Sequence, residues 1–152
     1  MLRSVVALLV LLLALPAAAG DEIGSVGYRF KWLGPNDKIV VEAFDDPDIS
    51  GITCYISRAR TGGLKGAFGL AEDPPYASIS CHQVGPVDVA RAEKVKSPHE
   101  VFSERASLIF KTTQVVRFYD PKRRALVYLT YTDRVIEGSP QNSITVVPLG
   151  LR

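Results

Sequence analysis

The sequence predicts a mainly β protein. The expectation is a single domain of about seven or eight antiparallel strands, a sandwich or a partly open barrel, with at most one or two short helices. Three observations carry it. Short stretches alternate apolar and polar residues, clusters of Gly, Pro and Asp separate them, and helical periodicity is scarce.

Taken in order, Lys38 to Phe44 is a β-branched run that ends on the breaker cluster Asp45-Asp46-Pro47-Asp48. Gly51 to Arg58 alternates: Ile52, Cys54 and Ile56 share one face, Thr53, Tyr55 and Ser57 the other. Tyr76 to Val84 alternates again, with Ala77, Ile79 and Cys81 opposite Ser78, Ser80 and His82. Between these strands Gly62, Gly63, Gly66 and Gly69 argue for a loop with unusual dihedrals, or at most a weak helical turn. Glu72-Asp73-Pro74-Pro75 then stops whatever forms there. Ala90 to Lys96 is the best helix candidate, short and highly charged. Val101–Lys111, Thr113–Tyr119 and Ala125–Thr132 read as strands, the last two joined by the turn Asp120-Pro121-Lys122-Arg123-Arg124 into a hairpin. Gly138-Ser139-Pro140 turns the chain into a last short strand, Ser143 to Val147.

The N-terminus is of another kind. Arg3 precedes an apolar run from Ser4 to Leu15, and Pro16-Ala17-Ala18-Ala19-Gly20 supplies small residues at both positions a signal peptidase reads. Residues 1–20 are therefore expected to be a cleaved signal peptide, residues 21–152 one β domain, and the destination the periplasm. A spanning helix needs about 20 apolar residues, so the run is too short for a stable membrane anchor. The chain carries 18 Lys and Arg against 16 Asp and Glu, a formal charge of +2 that drops by one when Arg3 leaves. So little net charge excludes a nucleic-acid footprint and argues against a polybasic membrane patch.

Two cysteines remain, Cys54 and Cys81. An even count in an exported chain predicts one disulfide, and both residues fall on apolar strand faces, where a buried bond suits them better than a reactive thiol. No C-x-x-C redox motif is present. Cys81 and His82 are strand neighbours and point to opposite faces, so they form no catalytic dyad. His99, in the polar Lys96-Ser97-Pro98 segment, is expected with His82 at the surface.

Asp46-Pro47-Asp48-Ile49-Ser50-Gly51 matches the first half of an EF-hand loop, but Ser57 stands where position 12 requires a bidentate Glu. A solvated Asx turn is the simpler expectation, and no metal is assigned. Gly63-Leu64-Lys65-Gly66 matches the short G-x-x-G of KH modules, against which export and near-neutral charge both argue. No Walker sequence and no G-x-S-x-G elbow occurs in residues 21–152. No catalytic residue and no cofactor site is assigned. If the chain were an enzyme using carboxylates, of hydrolase type, Glu42, Asp45, Asp46 and Glu72 would be its least implausible groups.

Several strings are specific to a known family. Ile39-Val40-Val41-Glu42-Ala43-Phe44-Asp45-Asp46-Pro47-Asp48 and Thr53-Cys54-Tyr55-Ile56-Ser57-Arg58-Ala59-Arg60-Thr61-Gly62-Gly63 are two. Gly69-Leu70-Ala71-Glu72-Asp73, Gln83-Val84-Gly85-Pro86, Gln114-Val115-Val116-Arg117-Phe118-Tyr119-Asp120 and Val135-Ile136-Glu137-Gly138-Ser139-Pro140 are the others. Through them the chain resembles the CreA family of exported bacterial proteins over nearly all of residues 21–152. The resemblance implies a periplasmic protein named for an association with carbon-source response. It carries over no catalytic residue. Both cysteine positions match, which supports the disulfide, whereas His82 is outside the family pattern. The expectation is thus a non-enzymatic binding or accessory protein, with a small ligand or an envelope protein as partner. The carboxylate enzyme is the alternative.

Overall fold

The computed structural model describes residues 20–68, 76–105, 112–132 and 141–150. The leader, Glu72 and the Gly138-Ser139-Pro140 turn lie outside them. Eight strands form two antiparallel sheets. The first contains β1 (Asp21–Arg29), β2 (Asp37–Asp45), β3 (Ile52–Arg60) and β4 (Ala77–Gln83) in that order. The second contains β5 (His99–Arg105), β6 (Thr112–Asp120), β7 (Ala125–Thr132) and β8 (Asn142–Pro148), again in chain order. Each sheet is a meander, and neither closes into a barrel. At one side β4 and β8 meet, where the Cys81 N–H donates to Thr145 Oγ1 at 3.2 Å.

Alternation places the core between the sheets. Val40 and Phe44 on β2, Ile52, Cys54 and Ile56 on β3, and Ile79 and Cys81 on β4 are buried from one side. Val101 and Phe102, Val115, Leu126 and Tyr128, and Val147 are buried from the other. Phe44 and Phe102 stack across the layer at 4.4 Å, close enough to add to the energy of simple burial. Cys54 and Cys81 face each other on neighbouring strands, their Cα atoms 4.0 Å apart, and are joined by a disulfide.

Two features differ from expectation. β1 was not anticipated: Gly24 and Gly27 interrupt it, and all nine residues are exposed, so it lacks the period that a buried face imprints. The charged helix expected over 90–96 is α2 (Val89–Ala92), a single turn whose N-cap Asp88 accepts from the Arg91 N–H at 3.0 Å. The glycine loop takes the second of its two expected forms, a helical turn, α1 (Gly63–Ala67). Of the strand expected to reach Lys111, only the part up to Arg105 lies within the described residues.

Candidate functional site

At one end of the sandwich three side chains meet below the surface. Asp46 follows β2 directly, and its Oδ1 accepts from the N–H groups of Asp48 (2.9 Å) and Ile49 (3.1 Å), an Asx turn that reverses the chain toward β3. Arg117 and Tyr128 are cross-strand partners on β6 and β7. Arg117 Nη1 donates to Asp46 Oδ1 at 2.6 Å and to Oδ2 at 2.8 Å, and the Tyr128 hydroxyl donates to Oδ2 at 2.7 Å. The side chains of Arg117 and Asp46 are both fully buried.

The cluster reaches solvent through Asp48. Arg117 Nη2 lies 2.9 Å from Asp48 Oδ2, and His99 Nε2 approaches the same oxygen at 3.4 Å. Beyond them opens a cleft of about 680 Å³, lined by Asp48, Asp88, Arg91, Lys94, Lys96 and His99. Its carboxylates are engaged, Asp48 by Arg117 and Asp88 by the helix N-cap. No acidic side chain among the described residues pairs with Arg91, Lys94 or Lys96.

The electrostatics make this cluster a fixed support. Burial works against the charge of Arg117, but hydrogen bonds and attraction from Asp46 and Asp48 outweigh it and leave its pKa raised. Burial first, and then the Asp46 charge, drive the Tyr128 phenol far above its usual range. Arg117 thus stays charged and Tyr128 stays protonated at any physiological pH. The arrangement holds charge in place and is poorly suited to passing protons.

The carboxylates named from the sequence do not converge. Glu42 lies on the inner face of β2 and accepts from Arg58 Nε at 2.9 Å and Arg60 Nη2 at 2.6 Å. Arg60 also reaches Glu104 of the second sheet at 3.0 Å, so this network ties the sheets on the other side of the Phe44–Phe102 stack. Asp45 is exposed and accepts from the Thr53 hydroxyl at 2.6 Å. Glu72 lies outside the described residues. The half EF-hand is an Asx turn as expected but not a solvated one: Asp46 is buried because its oxygens hold Arg117, Tyr128 and two backbone N–H groups. His82 is exposed with its ring 2.7 Å from Ser80 Oγ, whereas His99 stands at the cleft. In the Lys122-Arg123-Arg124 turn, Arg124 pairs with Glu93 at 2.8 Å and fastens the hairpin to the end of α2.

Sequence reasoning missed Arg117, Tyr128 and the cationic wall. One signal was present: Thr113, Val115 and Arg117 alternate on one strand face, so a charge stands in an inward position and demands a buried partner.

Fold and site together define a two-sheet β protein with a basic cleft supported from below by a buried ion pair. The chain belongs to the CreA family: the family model "CreA protein" matches residues 23–151. It is 59% identical over 136 residues to Protein CreA of Escherichia coli strain K12, which covers 88% of this chain and 87% of that protein. The Protein CreA of Escherichia coli O157:H7 matches to the same extent. No solved structure matches the chain.

Proposed function

We propose that this chain is an exported periplasmic protein that binds a small anionic ligand, a non-enzymatic binding or accessory protein in carbon-source response. One observation carries the reading. Arg91, Lys94 and Lys96 converge on a single cleft, beside His99, in which Asp48 and Asp88 are already engaged, leaving these three cations to an incoming acid. The fixed Asp46–Arg117 pair beneath favours a preformed site, which lowers the ordering cost of binding. Residues 1–20 supply the pattern of an export leader. The carboxylate-enzyme alternative gains nothing from Glu42 or Asp46, since each is tied into its own ion pair.

Melting temperature screened against small carboxylates and phosphate esters tests the proposal, because a ligand of the folded state raises it by mass action. At least one acid should stabilise the wild type and fail to stabilise Arg91→Glu/Lys94→Glu. Equal stabilisation by neutral analogues, or turnover of the bound compound, would overturn it. N-terminal sequencing of periplasmic protein should read a start near Asp21.

A further inference from the structure

The opposite end of the first sheet carries an apolar cluster that the cleft does not explain. The β1–β2 loop exposes Phe30, Trp32 and Leu33 at 69%, 91% and 67%, and the α1 turn exposes Leu64 and Phe68 at 52% and 69%. Phe30 and Trp32 pack edge to face at 5.8 Å. The two segments form one body: the Gly63 N–H donates to the Pro35 carbonyl at 2.6 Å, and the Gly62 N–H to Asp37 Oδ1 at 2.8 Å. Lys31 N–H closes the loop on Asn36 Oδ1 at 2.9 Å. Gly34, with φ +84°, lies so near Gly63 that a Cβ would stand 2.5 Å from its carbonyl carbon, so the approach depends on that glycine.

Large apolar side chains at such exposure in a well-fastened loop mark a contact surface. The flanking charge indicates what it contacts. Arg29 and Lys31 share one buried carboxylate, Asp37, at 3.8 and 3.3 Å. Lys65 has no acidic partner among the described residues, so the tip is net positive. Lysine is depleted in protein–protein interfaces, whereas Trp, Phe and Leu bordered by Lys and Arg suit the headgroup region of an anionic bilayer. We infer that the Phe30–Leu33 loop and the Leu64–Phe68 turn form a reversible docking surface for an anionic lipid membrane. It lies on the surface and does not span.

Trp32 is the sole tryptophan, so its fluorescence reports this tip alone. The full-length protein is mixed with vesicles of phosphatidylglycerol and phosphatidylethanolamine, then with phosphatidylcholine vesicles. Both vesicle flotation and Trp32 emission are read. On anionic vesicles the emission should move to shorter wavelength and the protein should float. Added salt should weaken both, and Lys65→Glu should lower the partition by about tenfold. Leu33→Asp/Phe68→Ser, at exposed positions, should melt like the wild type and lose the shift. The variants share the wild-type N-terminal segment, so their difference from it reads the tip. An unchanged emission, or a double variant that floats as well as the wild type, would overturn the inference. Equal partition onto phosphatidylcholine would overturn the anionic assignment. A shift that follows protein concentration without vesicles would give the surface to a second copy instead.

Discussion

Asp46 and Arg117, separated by 71 residues, form an ion pair in which one guanidinium nitrogen donates to both carboxylate oxygens, and it joins the two sheets with neither side chain exposed to solvent. The pair is stable only as a whole. Its energetic logic is that of any desolvated pair: attraction and hydrogen bonding offset a large desolvation cost, and removing one partner strands the other.

Asp46→Ala should therefore destabilise the protein by about 3–5 kcal/mol. Arg117→Lys should fail to preserve the wild-type stability, because an ammonium cannot present the two-pronged fork that Asp46 and Asp48 receive. Asp46→Leu/Arg117→Met should be less damaging than the sum of its single changes. Urea unfolding of the set, read as a double-mutant cycle, checks all three expectations.

Acid sensitivity should be traceable to Asp37. The Gly62 N–H holds its carboxyl below the ordinary 3.8, with Lys31 and Arg29 adding to the effect against the opposing cost of burial. Glu22, held down chiefly by Lys38, and Asp120, held down chiefly by Arg123, act in the same sense. A depressed folded-state pKa gives stability that is complete above the unfolded value and is lost as pH falls through the folded one. Asp37→Asn should be less stable than the wild type at neutral pH, with the gap closing below about pH 4. Denaturation midpoints from pH 7 to pH 2 measure it.

The disulfide should contribute through the loop it closes. Cys54 and Cys81 are 27 residues apart, and loop-closure entropy puts such a bond at about 3–4 kcal/mol. Cys54→Ser/Cys81→Ser should melt roughly 10 °C lower than the oxidised protein. Both sulfurs are held in the bond and offer no thiol, so alkylation without reductant should fail on the native protein.

Calcium should bind no tighter than millimolar, since Asp46 has its oxygens committed and position 12 of the loop is Ser57. Calorimetric titration decides it. A micromolar affinity abolished in Asp46→Ala would contradict this prediction.

Strands packed on the core were legible because burial writes a period of two into them. Ala125–Thr132 is bounded as expected, and Ile52, Cys54 and Ile56 point inward as their alternation requires. β1 has no buried face and so wrote nothing. The disulfide was legible because the cysteine count is even and both residues fall on apolar faces of alternating strands; that the two strands are neighbours came only with the fold. The Asp46–Arg117–Tyr128 cluster was not, since its members come from distant stretches and only the docking of the sheets brings them together. The cleft shared that obscurity: α2 is one turn long, and residues 90–96 read only as a short, highly charged helix candidate, with nothing to place Asp48 beside them.

Among the described residues every backbone ladder joins strands adjacent in sequence, and the chain passes from the first sheet to the second once, between Gln83 and His99. Each half can therefore zip its own hydrogen bonds by short loop closures, and the slow, long-range event in folding is the meeting of two prepared surfaces. The molecule is in this sense a heterodimer written on one polypeptide. Its recognition pair is a carboxylate from one half and a guanidinium from the other, and its peptide connection supplies the effective concentration that keeps them associated.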